Sequence, residues 1–240
     1  MMKQALLIID VQNDYFKNGK MELVNPDLAL AQTNLLEDHF IQNNLPIIYI
    51  QHINPASASF FQENTVGVEL HPQLKVTDQS VIVEKHFPNS FLETNLQTIL
   101  EQHQVEQLVI TGMMTHVCID SGTRAAKELG YQPIVIADAT AIRDLEHDAK
   151  IVKAADVQTA FLSALGFFAT VQNTADFLAQ NQIMQKKRAF HRTLFLNLNR
   201  FIGLDKPWQS DVQPQPAQPM LKYRLSYPTH WQQSFLGYGA

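Results

Sequence analysis

The sequence predicts an α/β fold in three layers, with a parallel six-stranded sheet between two layers of helices. Two observations support this prediction. Six short apolar segments, most of them rich in β-branched residues, recur along the chain, and helical patterns lie between most of them. Unbroken apolar runs are typical of strands buried on both faces, and strands that alternate with helices form parallel sheets through right-handed crossovers. The predicted strands are Ala5–Ile9, Pro46–Ile50, Ser80–Val83, Gln107–Ile110, Pro133–Ala137 and Phe167–Val171.

Capping residues predict where the helices begin and end. Asn25 and Pro26 have the character of an N-cap and a first helical residue, and Ser90 with Glu93 has the spacing of a capping box. A glycine follows each of the last two helical patterns, as expected at a helix C-terminus. The predicted helices cover about 26–43, 90–103, 116–129 and 147–165.

One predicted connection is unusually long. It runs from Gln51 to Gln79, whereas most connections in compact domains have about four to six residues. Long ordered loops of this kind are commonly lids or binding segments. We therefore expect this connection to contribute to a binding site.

Composition limits the class of protein. The chain has 240 residues, of which 45% are hydrophobic and 17% charged, so it can bury a substantial core and is not disordered. Its apolar runs are far shorter than the roughly 20 residues that span a bilayer, and an acid interrupts the apolar N-terminal segment. We expect a soluble cytoplasmic protein. The single cysteine, Cys118, is either a buried small apolar residue or a reactive thiol.

Charge divides the chain into two parts, predicted as a domain over 1–182 and a C-terminal extension over 183–240. The domain has 10 basic and 21 acidic residues, and the extension has 8 and 2. The extension contains an amphipathic helical pattern, a Pro/Gln-rich run over 207–219 and an aromatic-rich end. Its apolar stripe comprises Phe190, Leu194, Leu198, Phe201 and Ile202.

The basic extension has two interpretations. It could lie on a membrane surface, or it could dock on the acidic domain of the same or a neighbouring subunit. Docking is favoured because it accounts for the opposite charges, and we expect a homo-oligomer, either a dimer or a tetramer, with no membrane partner. Nucleic acid is not an expected partner, since the domain is acidic and carries no recognition motif.

Chemically active residues follow the predicted strands. Ligands of parallel sheets bind beyond the carboxyl ends of the strands, where Asp10, Lys85 and the segment from Gly112 to Cys118 are expected to meet. A thiol with a pKa near 8.5 needs a proton acceptor and a positive charge to act as a nucleophile, and Asp10 and Lys85 are of those two types.

The helix after the fourth strand adds to this chemistry. Thr115 as N-cap would place Cys118 in the first turn, where free N–H groups and the helix dipole favour a thiolate. We therefore expect a depressed pKa for Cys118. The same N–H groups could bind the oxyanion of a tetrahedral intermediate.

Three separated segments carry a family resemblance. LLIIDVQNDYF at 6–16, VEKHFPNSFLETNL at 83–96 and VITGMMTHVCIDSGTRAAKELGY at 109–131, followed by VIADATA at 135–141, are similar to the isochorismatase-like cysteine hydrolase superfamily over roughly 1–180. The resemblance implies a Rossmann-like fold and a catalytic triad of Cys118, Asp10 and Lys85. It also implies a cis peptide between Met113 and Met114, which turns the Met114 N–H toward the oxyanion beside that of Cys118.

Departures from the subfamilies narrow the predicted reaction. Nicotinamidases of this superfamily carry an acidic metal ligand where this chain has Gln51, so we predict no metal at His52, His71 or His86, and no cofactor. True isochorismatases hydrolyse a vinyl ether and lack the nucleophilic cysteine. With Cys118 present, hydrolysis of an amide, N-carbamoyl or related C–N bond of a small molecule is favoured.

The remaining family positions receive supporting roles. Predicted substrate contacts are Phe16, His52, Phe60 and Phe61, of which Phe16 is alternatively a core residue. Gln12 is predicted as a hydrogen-bonding brace, and Asp138 as a structural residue that bonds the backbone or anchors a helix start. Two rival functions stay open: a non-covalent hydrolase in which Cys118 is dispensable, and a catalytically inactive binding or assembly module.

Overall fold

The computed structural model describes residues 2–201. The chain divides into two units, Met1–Phe190 and His191–Ala240, and the sheet and the candidate site lie in the first. The predicted Pro/Gln-rich run, the aromatic end and Ile202 lie outside the described residues. The predicted boundary at residue 182, the oligomer and the cytoplasmic location stay predictions.

Six parallel strands form the main sheet, in the order β3-β2-β1-β4-β5-β8, which confirms the predicted fold class. β1 lies at the centre between β2 and β4, so its apolar residues are covered on both faces. β6 and β7 form a separate antiparallel hairpin. The strands are β1 Gln4–Ile9, β2 Ile47–His52, β3 Val81–Lys85, β4 Gln107–Met113, β5 Gln132–Ala141, β6 Leu145–His147, β7 Lys150–Val152 and β8 Thr170–Gln172.

Helices cover both faces of the sheet and complete the three layers. Alternate residues of β1 point to opposite faces: Leu6 and Ile8 belong to a core cluster with residues of the first helix, whereas Leu7 and Ile9 belong to one with residues of the second. The helices are α1 Pro26–Gln42, α2 Leu96–Gln102, α3 Asp120–Glu128, α4 Ala154–Leu165 and α5 Thr174–Phe201.

The predicted start of α2 is wrong. The helix begins at Leu96 rather than at Ser90, and Ser90 and Glu93 form no capping box. Residues 90–95 form turns instead, in which Glu93 has a left-handed backbone conformation (φ 56°) that interrupts a helix. The Thr94 hydroxyl donates to the Ser90 carbonyl (2.7 Å) and accepts from the Leu96 N–H (3.3 Å), so it bonds the backbone where the helix begins.

The predicted start of α4 is also wrong, because the hairpin of β6 and β7 occupies the first third of the predicted helix. Asp148 and Ala149 both have positive φ in its turn, a conformation that excludes helix. α4 begins only at Ala154, whose N–H donates to the Asp144 carboxylate (2.8 Å).

Two helix ends and one helix start agree with the boundaries predicted from the sequence. Pro26 is the first residue of α1 after Asn25, although the Asn25 side chain makes no capping hydrogen bond. Gly130 follows the end of α3 with a φ of 93°, and Gly166 directly follows α4.

Among residues 2–201, no helix combines the length and apolar character needed to cross a membrane. In α5 the side chains of Phe190 and Leu194 are exposed.

Candidate active site

Three neighbouring elements bring Asp10, Lys85 and Cys118 together at the carboxyl edge of the sheet. Asp10 directly follows β1, Lys85 is the last residue of β3, and Cys118 lies in a π-helical segment, Thr115–Ile119, between β4 and α3. Their exposed fractions are 0%, 1% and 4%. The sequence predicted that an acid, a cation and a thiol meet at this edge; that all three are buried is a finding of the structure.

The Lys85 ammonium links the other two groups. Its Nζ donates to Asp10 Oδ2 (2.8 Å) and to Cys118 Sγ (3.4 Å). Asp10 Oδ1 is buried and has no hydrogen-bond partner among the described residues. A carboxylate oxygen of Asp10 and Cys118 Sγ lie within 4.8 Å of each other, so the carboxylate is near the thiol and keeps one oxygen unbonded.

The expected depressed pKa of Cys118 is wrong. Burial and the adjacent Asp10 carboxylate raise the pKa of the thiol well above its ordinary value, and Lys85 offsets only part of this effect. One ammonium compensates one negative charge, so an Asp10 carboxylate and a Cys118 thiolate together would leave a buried charge unpaired. Burial and Asp10 therefore favour the neutral thiol of Cys118 over its thiolate.

Lys85 remains a cation in this environment. Burial alone would lower the pKa of its amine, but Asp10 and Cys118 outweigh that effect and raise it. Burial likewise raises the pKa of Tyr15, assisted by the negative charges of Asp10 and Asp14, so its phenol stays protonated beside the site.

The backbone around the site has conformations that only some residues tolerate. Asp10 has a left-handed backbone (φ 54°), which is costly for a residue other than glycine and is frequent at functional sites. Gly112 has a φ of 122°, and a Cβ there would lie 1.9 Å from the Ile9 carbonyl oxygen, so β4 can approach β1 only with glycine. The peptide bond between Met113 and Met114 is cis.

Thr115 does not cap the helix as predicted. It is the first residue of the π-helical segment, and its hydroxyl donates to the Ala141 carbonyl (3.2 Å) at the end of β5. The hydroxyl is committed to this neighbouring strand, and Met114 occupies the N-cap position without a side-chain hydrogen bond.

Two predicted supporting roles are confirmed. The buried Gln12 side chain donates to the carbonyls of His52 (2.9 Å) and Val68 (2.6 Å) and accepts from the His52 N–H (2.8 Å), so it braces β2 against the long connection. Asp138 accepts from both the backbone N–H and the hydroxyl of Thr174 (2.8 Å each) and anchors the start of α5.

The four predicted substrate contacts differ in position. Phe16 and Phe61 belong to the core, with exposed fractions of 5% and 0%, so neither offers ring surface to a ligand in this conformation. Phe60 is half-buried and packs against Phe61 (centroids 4.9 Å apart). His52 is 9% exposed and contacts Lys85: its Nδ1 lies 2.7 Å from Lys85 Nζ.

Sequence reasoning missed two residues that shape the site. The buried Asp14 carboxylate accepts from the Phe61 N–H (2.6 Å) and the Lys20 N–H (3.1 Å), and so fixes the backbone of the long connection at Phe61. The Asn54 side-chain oxygen accepts from His52 Nε2 (2.9 Å). The available signals were an acid four residues after Asp10 and an amide two residues after a histidine, neither of which is specific.

Among the described residues, one group of side chains that could hold a metal ion lies here. Asp10, His52 and Cys118 each offer a ligand atom, all within 4.8 Å of one another. The Lys85 ammonium makes close contacts with all three residues and so takes the central position that a cation would need.

A buried cysteine, carboxylate and lysine at the carboxyl edge of a parallel sheet are features of cysteine hydrolases with an α/β fold. The isochorismatase domain model matches residues 4–176, and the chain belongs to the isochorismatase family of hydrolases. The predicted resemblance is therefore confirmed.

Similar proteins include both sequence relatives and solved structures. The isochorismatase family protein YddQ of Bacillus subtilis is 45% identical over 179 residues, which cover 74% of this chain and 99% of YddQ. A crystal structure from Oleispira antarctica, assigned to the isochorismatase hydrolases, is 40% identical with a TM-score of 0.72, and the match covers 74% of this chain and 96% of that one. The ureidoacrylate amidohydrolase RutB of Variovorax paradoxus is 24% identical, over 57% of this chain and 68% of RutB.

Proposed function

We propose that this protein is a metal-independent cysteine hydrolase that cleaves an amide, N-carbamoyl or related C–N bond of a small molecule through a covalent acyl-enzyme. One observation carries the proposal: a buried Lys85 ammonium contacts both a cysteine thiol and a carboxylate whose other oxygen is unbonded. A structural ion pair has no need of a free acceptor beside a thiol. The amidohydrolase RutB among the relatives supports the choice of a C–N bond.

In the proposed first half-reaction, Cys118 Sγ attacks the carbonyl carbon of the substrate as its proton passes to Asp10 Oδ1. The tetrahedral intermediate then collapses, the C–N bond breaks, and the departing nitrogen takes the proton from Asp10. A thioester on Cys118 and a free amine result. In this scheme the negative charge moves from Asp10 to the substrate oxygen of the tetrahedral intermediate and returns to Asp10 on collapse, while Lys85 stays paired with the carboxylate and in contact with the sulfur.

In the second half-reaction, water attacks the thioester carbonyl and gives its proton to Asp10. The C–S bond breaks, the acid product leaves, and the thiol is restored by the proton from Asp10. We assign the oxyanion of both intermediates to the backbone N–H groups of Met114 and Cys118, which precede and follow the start of the π-helical segment.

Metal independence follows from the position of Lys85. A divalent cation bound by Asp10, His52 and Cys118 would lie against an ammonium, and the two charges would repel each other strongly in a buried site. Dialysis against a chelator is expected to leave turnover unchanged. Stoichiometric zinc or iron in the purified protein, with activity that is lost on chelation and restored by that metal, would contradict this assignment.

The test is a panel of small amides and N-carbamoyl compounds, read by intact-protein mass after rapid acid quench. We expect a substrate that adds its acyl mass to the wild-type chain and adds nothing to Cys118→Ala, the matched control. Measurable turnover by Cys118→Ala would favour the non-covalent hydrolase. Binding of panel compounds with neither turnover nor an acyl adduct would favour an inactive binding module.

A further inference from the structure

The Lys85 ammonium uses all of its hydrogen-bonding capacity within the site. A lysine ammonium has three N–H donors and no acceptor. Lys85 Nζ has three partners: Asp10 Oδ2 (2.8 Å), Cys118 Sγ (3.4 Å) and His52 Nδ1 (2.7 Å). Because Lys85 can only donate, His52 Nδ1 must be the acceptor and carries no proton.

The other side of the imidazole fixes the same tautomer. His52 Nε2 lies 2.9 Å from Asn54 Oδ1. The orientation of the Asn54 amide is set by its nitrogen, which donates to the Phe60 carbonyl (3.0 Å), so its oxygen faces the histidine. The oxygen can only accept, and His52 therefore carries its proton on Nε2.

Backbone contacts hold Asn54 in this position. Its N–H donates to the Phe61 carbonyl (2.9 Å), and its carbonyl accepts from the Glu63 N–H (2.9 Å). A chain of hydrogen bonds thus runs from the Phe60 carbonyl in the long connection, through Asn54 and His52, to the ammonium that contacts the thiol.

Every charged group that faces His52 bears on its protonation. Lys85 and His86, both from the end of β3, disfavour a second positive charge, whereas Asp10 from the end of β1 favours it and the neutral Cys118 thiol carries no charge. Burial is the largest effect and lowers the pKa of His52, with Lys85 acting in the same direction. An imidazolium would also place two cationic nitrogens 2.7 Å apart.

We propose that His52 is a positioning residue rather than a substrate contact: its neutral Nε2–H tautomer, fixed by Asn54, holds the Lys85 ammonium between Asp10 and Cys118. The proposal rests on the proposed function, since it assigns a role within the same site. If His52 has this role, the position of the Lys85 ammonium beside Cys118 depends on the hydrogen bonds that hold Asn54 against Phe60.

The first test reads the tautomer directly, by ¹⁵N NMR of the full chain labelled in histidine. At pH 7 we expect the His52 Nδ1 resonance in the range of an unprotonated nitrogen and Nε2 in that of an N–H, with assignment by the His52→Asn variant. Replacement of Asn54 by leucine removes the acceptor and should mix the two tautomers. A proton on Nδ1, or an imidazolium at pH 7, would overturn the proposal.

The second test reads the effect on Cys118, by its rate of alkylation with iodoacetamide in the absence of substrate. Asparagine can place an oxygen acceptor where His52 has Nδ1, so His52→Asn should keep the rate within about threefold of wild type. His52→Leu leaves one ammonium donor unbonded and should slow alkylation roughly tenfold. His103→Leu, at the exposed end of α2, is the matched control and should change nothing.

The outcomes separate this proposal from the proposed function. Equal alkylation rates for His52→Leu and His52→Asn would make His52 no more than a substrate contact, a role that should then appear as a raised KM with unchanged kcat. If His52→Leu does not fold, the tautomer measurement and His52→Asn still decide. Failure of every panel compound to form an acyl-enzyme would overturn the proposed function and leave the tautomer result standing.

Discussion

Two buried carboxylates in this domain, Asp10 and Glu37, differ in their hydrogen bonds: both oxygens of Glu37 accept one, whereas only one oxygen of Asp10 does. Both side chains belong to residues with no exposed surface. Glu37 Oε1 accepts from the Tyr49 hydroxyl (2.7 Å) and the Lys75 N–H (2.9 Å), and the Asn34 amide, in the orientation that satisfies its neighbours, donates to Oε2 (2.9 Å). Asp10 has a bonded Oδ2 and an unbonded Oδ1.

This difference distinguishes a structural acid from a chemically available one. Burial of a carboxylate is tolerated when each oxygen has a donor, and Glu37 meets that condition while it ties α1 to β2 and to the long connection. Asp10 keeps one oxygen unbonded and lies within 4.8 Å of a thiol, as the proposed proton acceptor requires. Substitutions at these acids and at the residues around them test this distinction.

The largest effect is expected for Asp10→Asn. The amide cannot accept the thiol proton, so kcat on a substrate from the panel should fall by about 10²–10⁴-fold, the usual contribution of a general base. Glu37→Gln is the matched control, and its kcat should stay within about twofold of wild type. Steady-state kinetics at pH 7 measure both, and equal losses in the two variants would remove the distinction.

The second largest effect is expected on stability, when the buried Lys85 cation is removed. Lys85→Met leaves the Asp10 carboxylate unpaired in the interior and should lower the free energy of unfolding by about 3–5 kcal/mol, measured by urea denaturation. Lys75→Met is the control, because the side chain of Lys75 pairs with Asp38 at the surface and such pairs contribute less than about 1 kcal/mol.

The double variant tests the cause of that loss. If the unpaired charge destabilises Lys85→Met, then Lys85→Met/Asp10→Asn should recover part of the lost free energy. A double variant less stable than either single variant would mean that the cost comes from packing rather than from charge.

The sequence predicted the parts of the molecule that depend on local pattern. The apolar runs, the Pro26 helix start and the Gly130 helix end each reflect short-range sterics or burial, and the acid after β1 signals a site because ligands of parallel sheets bind at that edge. The strand ends predicted that Asp10, Lys85 and Cys118 meet at one edge of the sheet, and the family resemblance added their roles as a catalytic triad.

The errors arose where distant contacts decide. Thr115 bonds a neighbouring strand instead of capping its own helix, and two positive-φ residues, Asp148 and Ala149, form a turn where the helical pattern was extended. The pKa of Cys118 depends on the balance between burial and two side chains far away in sequence, so the helix start alone gave the wrong direction.

Asp14 is a third buried carboxylate. Both of its oxygens accept hydrogen bonds, so it is a structural acid like Glu37. A Cβ added at Gly67 would lie 2.2 Å from Asp14 Oδ1, so Gly67→Ala should displace the carboxylate from the Phe61 N–H. We expect a loss of about 1–3 kcal/mol in the free energy of unfolding, within the range for an overpacked site. At Gly122 a Cβ would have its nearest contact at 3.4 Å, and Gly122→Ala should cost little or stabilise α3.

The smallest effect concerns the pH dependence of stability at Glu37. Burial raises the pKa of this carboxyl, and the hydrogen bonds from Tyr49 and Lys75 offset only part of the shift. The folded state therefore holds the proton more tightly than the unfolded state, whose pKa is about 4.3, so its contribution to stability is present below that value and is lost as pH rises through the folded pKa. Relative to Glu37→Gln, which does not titrate, the wild type should become progressively less stable over that interval. Urea denaturation of both chains from pH 4 upward measures the difference, and a difference that is constant or changes in favour of the wild type would show that the bonds to Glu37 outweigh its burial.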